Sequence, residues 1–195
     1  MTRARHHGAV DLNDFETLVR DRRTSLLVDS ADDVSIDLVE RLCGSAMWAP
    51  NHKKTWPLRF SLCTGDGRST LGETVAEALM ADGMTDEAKL AKTRVKYLRS
   101  PAVLVVGSVP GDTPLRTTEN RDAAAAGVQN LLLAATAAGL ASFWASVGPV
   151  ADEPLAAWFG WESGTQCVAI VYLGWPTGVV PVPGRPPVTL AVFDR

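Results

Sequence analysis

Between Asp122 and Asp152 the chain carries no charged residue. A stretch of that length lies either inside a protein core or in lipid, because solvated surfaces are normally dotted with charge. Its content decides between the two. It is rich in Ala rather than Leu, sets Gln129 and Asn130 side by side, and is interrupted by Gly139. An amide pair in hydrocarbon is costly without partners, whereas a helix before Gly139 and a strand after it can both be buried in protein. The stretch predicts a core helix followed by a core strand, and no membrane span.

The rest of the composition agrees with one ordinary globular domain. The 195 residues are 46% hydrophobic and 21% charged, with a formal net charge of -3, which argues against disorder. A sequence pI of about 5.6 removes the basic footprint of a nucleic-acid binder. Cys43, Cys63 and Cys167 are odd in number, far apart and form no CxxC, so neither a disulfide framework nor a zinc site is expected. A cytoplasmic location is the expectation. Residues 1–10 contain no apolar run of the secretory kind and are expected to be a flexible N-terminus.

Periodicity divides the chain further. Leu12, Phe15, Leu18 and Val19 predict a helix over 12–21. Ser35 reads as the N-cap of a second, with Ile36, Val39, Cys43, Ala46 and Met47 as its apolar stripe and Pro50 as its end. Pro57–Thr64 reads as a strand running into a hairpin-type turn at Gly65-Asp66-Gly67. Leu71, Val75, Ala78 and Leu79 mark a third helix. Leu90, Val95 and Leu98 mark a fourth, from about Asp86 to Arg99. Ala102–Gly107 is a fully apolar strand. A loop over Pro110–Thr117 precedes the longest helix, Glu119 to about Ala138. Strands over Leu140–Val147 and Cys167–Gly174 enclose a short helix near Glu153–Phe159. Five Pro and three Gly from Gly174 to Val188 predict an extended tail over 176–195. Interleaved strands and helices give an α/β arrangement with helices covering a sheet.

Several familiar chemistries are missing. There is no Walker A loop and no GxSxG elbow, and three histidines do not make a metal cluster. The six Trp are expected mainly to pack in core and interfaces. Lys89, Lys92, Arg94, Lys96 and Arg99 read as a solvated face. Three clusters remain. Arg22-Arg23-Thr24 sets two guanidiniums and a hydroxyl at a helix exit, where an anion can be held. Ala49-Pro50-Asn51-His52-Lys53-Lys54 is a basic loop between helix and strand. Phe143-Trp144-Ala145-Ser146 ends a buried strand with an aromatic and a small polar residue.

In order and spacing these clusters resemble the FMN-dependent nitroreductase superfamily, in its short-chain branch. The resemblance rests on the triplet Arg22-Arg23-Thr24 and on the helix end and loop from Ala46 to Phe60. It rests also on Gln129-Asn130-Leu131-Leu132-Leu133-Ala134-Ala135 before Gly139-Leu140 and Trp144, and on Ile170-Val171-Tyr172-Leu173-Gly174-Trp175-Pro176. It spans roughly residues 12–190. It implies a mixed central sheet flanked by helices and an intertwined homodimer with FMN at the subunit interface. It implies NAD(P)H-driven two-electron reduction of nitroaromatic, quinone or similar electron-poor acceptors. Arg22 and Thr24 are then expected on the ribityl, phosphate or pyrimidine side of the flavin, with Arg23 contributing mainly its backbone. His52 would reach the flavin of the other chain, and Trp144, Ala145 and Ser146 would line it. Two positions depart from the branch: Trp48 and Ala145 stand where arginine is frequent, and Arg185 is the candidate to compensate at the phosphate. Two other readings keep the same cleft. One is a catalytically idle relative that holds flavin or another small ligand weakly, and the other an FMN oxidase working without nicotinamide.

Overall fold

The computed structural model describes residues 10–194. The flexible terminus expected over 1–10 therefore lies outside the described residues, Val10 excepted.

Strands β1 (Leu58–Cys63), β2 (Ala102–Ser108), β3 (Ala141–Ala145) and β4 (Gln166–Gly174) form one sheet in the order β1-β2-β4-β3. All three strand pairs are antiparallel. Among the described residues the parallel component is a single bridge between Thr24 and Ser142. Every residue of β2 is buried, as its apolar run requires of a strand packed on both faces.

Alternation along the two central strands assigns the helices to faces. Leu104, Val106, Ala169, Val171 and Leu173 point to one side, against α2 (Ile36–Ala46) and α5 (Pro114–Ala137). Val103, Val105, Ile170 and Tyr172 point to the other, against α3 (Gly67–Ala81), Tyr97 and Leu155 of α6 (Asp152–Phe159). Helix α4 (Glu87–Val95) packs on α3. Ala124, Val128, Leu131 and Ala135 are buried on α5, so the uncharged stretch is core helix and then core strand. Among the described residues no helix is long and apolar enough to cross a membrane, and no cluster of His, Cys, Asp and Glu could hold a metal.

Some expectations need correcting. Gly65-Asp66-Gly67 is not a hairpin: Gly65, at φ 49°, turns β1 directly into α3, which begins at Gly67. Helix α5 starts at Pro114, inside the expected loop, because Thr113 caps it by accepting from the Arg116 amide and Pro114 occupies the first turn. Helix α4 stops at Val95, and Lys96–Arg99 is a 3-10 turn, which leaves Val95 and Leu98 exposed and buries Tyr97. The buried face of α2 is Val39, Leu42 and Ala46, with Ile36 and Met47 outside. Helix α1 (Leu12–Asp21) buries no residue at all. Of the six Trp, Trp161 and Trp175 pack half-buried against the core, while Trp48, Trp56, Trp144 and Trp158 are exposed.

Candidate functional site

The exit of α1 is stitched to the sheet. Arg22 closes the helix, its amide donating to the Leu18 carbonyl at 3.1 Å. Thr24 then pairs with Ser142 of β3, and the Ser25 amide donates to the Ser142 carbonyl at 2.9 Å. Further along, Val28 bridges Pro176, and the Thr177 amide donates to Leu27 at 2.9 Å. The tail is thereby tied to the segment after α1 and passes back over it.

The consequence is a cleft of about 430 Å3 lined by Arg22, Arg23, Gln129, Val182, Pro183 and Arg185, with Val19 and Arg20 of α1 at its edge. Residues 160 positions apart in the chain meet here. Arg20 is paired with Glu16 at 2.8 Å, but Arg22, Arg23 and Arg185 form no ion pair among the described residues. Arg22 titrates below its ordinary value because burial removes water from it and because Arg23 and Arg185 repel it. Nε of Arg23 is buried with no hydrogen-bond partner. Unpaired like charges gathered around a cleft are chemically suited to one occupant, a multiply charged anion.

The other expected residues sit elsewhere on the chain. Trp48 lies in the last turn after α2 and is 86% exposed. His52 is exposed in the 3-10 turn His52–Lys54. Trp144, in the second half of β3, donates through Nε1 to the Val168 carbonyl at 3.3 Å, followed by half-buried Ala145 and exposed Ser146. Trp48, His52, Trp144, Ala145 and Ser146 do not line the arginine cleft. Thr24 links two of the groups, being next to Arg23 in sequence and beside Ser142, two residues before Trp144, in the sheet.

Two features escaped the sequence reading. The loop after Asn51 holds three non-glycine residues in the left-handed region, Lys53 and Lys54 at φ 55° and Trp56 at φ 48°. With no glycine in it, nothing in the residue types announces that geometry. The second is Asn120, only 4% exposed. It was detectable as the polar member of the apolar stripe of α5, one turn before Ala124.

Known proteins share this architecture. The profile of the Nitroreductase family matches residues 19–175. YdjA of Escherichia coli K12, provisionally named an NAD(P)H nitroreductase, is 27% identical over 164 residues, covering 83% of this chain and 87% of its own. The crystal structure of a nitroreductase-like family protein from Bacillus cereus superposes with a TM-score of 0.79 at 25% identity, over 96% of this chain and 100% of that one. The FMN-dependent nitroreductase NfnB from Mycobacterium smegmatis, solved in complex with NADPH, has a TM-score of 0.72 at 17% identity, over 95% of this chain and 100% of that one, a likeness of fold. Since the family profile spans well over half of the sequence, the chain belongs to the nitroreductase family, a family of enzymes.

Proposed function

We propose that this protein is a homodimeric FMN-dependent oxidoreductase that uses NAD(P)H to reduce nitroaromatic, quinone or similar electron-poor acceptors by two electrons. The observation that carries the reading is the cleft in which Arg22, Arg23 and Arg185 converge without counterions. A flavin phosphate fits it: the phosphate would pair with the guanidiniums and accept from the orphaned Nε of Arg23. When bound, FMN supplies the two-electron redox chemistry, and no protein acid or base is obligatory.

The work left to the chain is binding, orientation and exposure of one ring face. Arg22, Arg23 and Arg185 would neutralise the phosphate, and Thr24, next to Arg23, would serve the adjoining ribityl chain. Trp144 and Ala145, which follow Thr24's bridge partner Ser142 along β3, and Ser146 just after the strand would line the ring. His52 and its loop lie outside the arginine cleft of their own chain, which suits a site completed by a second copy. The chain's own thiols are poor rivals for the redox role. Burial pushes Cys43 up to about 11 and Cys63 and Cys167 up to about 12, so they stay protonated at neutral pH.

The test is direct. Protein reconstituted with FMN is expected to be yellow, and NADH or NADPH should bleach it in the absence of air, with colour returning on addition of a quinone. A protein that takes up no FMN would end the reading. One that takes it up but is never bleached would favour the oxidase or idle alternatives.

A further inference from the structure

The loop between Asn51 and Pro57 is strained and gains little burial in return. Lys53, Lys54 and Trp56 occupy left-handed backbone, yet residues 52–56 are all exposed. Such geometry persists only where the surroundings over-determine it. Here the ties are visible. Asn51 Oδ1 accepts from the Trp56 amide at 3.3 Å. The Arg59 guanidinium donates to the carbonyls of Trp56 at 3.2 Å and Leu58 at 2.9 Å, while Glu162 grips its other nitrogens. The Thr55 hydroxyl donates to Asn120 Oδ1 at 2.7 Å, and Asn120 Nδ2 donates to the Val109 carbonyl at 3.1 Å.

Asn120 is the buried member of this set, and it stands on α5, the helix that also carries Gln129 into the arginine cleft. A backbone held against its preference while His52, Lys53, Lys54 and Trp56 stay exposed is preorganised for something outside this chain's own core. We propose that Asn120 is a positioning residue. Through Thr55 it holds the 51–56 loop in the strained shape that presents His52 and Trp56 to the ring end of a bound flavin. The proposal rests on the flavin reading given above. Asn120 itself touches neither cofactor nor acceptor.

The experiment compares wild type, Thr55→Val, Thr55→Ser and Asn120→Ala. Trypsin digestion of apoprotein, with fragments identified by mass, reads loop order without any cofactor, since cleavage at Lys53 and Lys54 speeds up as the loop opens. Titration with FMN and with riboflavin then reads the ring end alone and with the phosphate. Thr55→Val and Asn120→Ala should be cut at Lys53 or Lys54 severalfold faster and bind both flavins about three- to tenfold more weakly. Thr55→Ser should behave as wild type. Thr55→Val removes one hydroxyl beneath an exposed loop, so its melting temperature should stay within a few degrees even if Asn120→Ala folds poorly. Unchanged cleavage in Thr55→Val overturns the tether. Faster cleavage with unchanged flavin affinity overturns the positioning role while leaving the flavin reading intact. A wild type that binds neither flavin removes the flavin reading and this proposal with it.

Discussion

Arg22 closes α1 and shares a partly buried cleft with two more guanidiniums, so its charge is disfavoured by its setting until an anion arrives. That setting makes Arg22→Ala informative. A charge-assisted hydrogen bond to phosphate is worth about 1.5–3 kcal/mol, so the variant should bind FMN roughly 10- to 100-fold more weakly. Riboflavin, which lacks the phosphate, should bind almost as before, and the melting temperature should hold or rise because a repulsion has been removed. Unchanged FMN binding in titration calorimetry would make the cleft a structural accident. The same experiment at two salt concentrations tests what Trp48 and Ala145 imply. If the exposed indole of Trp48 and the methyl of Ala145 stand at arginine positions, as the resemblance implies, the phosphate would depend on the three cleft arginines. Arg185 in particular is exposed and open to screening over about 8 Å at physiological salt. FMN affinity should therefore fall steeply as salt is raised, and Arg185→Ala should flatten that dependence.

Helix α3 meets α4 at a contact that leaves no room for a side chain. A Cβ on Gly72 would stand 2.0 Å from the Arg94 carbonyl oxygen, a backbone atom that can retreat only if α4 moves. The crossing is also latched on the surface by Arg94 and Glu73, whose Nε and Oε2 are 2.9 Å apart. Gly72→Ala, otherwise favourable in a helix interior, should destabilise the protein by roughly 1–3 kcal/mol. In a chain of this length that lowers the melting temperature by about 3–10 °C, and a rise instead would show that the two helices slide apart freely. The same helix shows where sequence reasoning works and where it stops. Leu71, Val75 and Ala78 were legible as its buried face because periodicity reports burial. Its start is not legible, because Gly65-Asp66-Gly67 suits both a hairpin and a helix entry, and only the partner strand distinguishes them. Strand β1 pairs with β2, the next strand in the chain but separated from it by α3 and α4, and no local signal carries that. The site divides in the same way. Arg22-Arg23-Thr24 and Arg185 were legible as types and through family resemblance, but their meeting depends on a tail anchored at Pro176 and Thr177. The strained turn at Lys53, Lys54 and Trp56 left no trace in residue type, because it is imposed by Asn51, Arg59 and, from another element, Asn120.

Taken as a whole, the chain leaves uncovered what a folded monomer normally hides. Helix α1 turns Leu12, Phe15 and Val19 outward at 67%, 47% and 40% exposure, although its stripe has the period of a packed face. The tail presents Val188, Leu190, Val192 and Phe193 at 76–93% exposure, with neither helix nor strand over 179–194. Short helices gain most of their stability from tertiary packing, so an α1 with no buried residue calls for a cover. In the proposed homodimer a second copy of the chain would supply one, and the same copy would bring His52 to the arginine cleft. Sedimentation at micromolar concentration should therefore give a species of twice the 20.8 kDa chain mass. If the flavin site spans both copies, binding and assembly are linked, and FMN should lower the concentration at which the dimer forms. Two variants separate the tail's roles. Arg185→Ala should weaken FMN binding yet leave the dimer intact, because it removes a charge and little apolar cover. Truncation after Thr177 should weaken both together, because it also removes the exposed apolar residues of the tail. A truncated protein that stays dimeric would mean that the tail serves only to carry Arg185, and a full-length monomer that binds FMN tightly would mean that each chain builds its site alone.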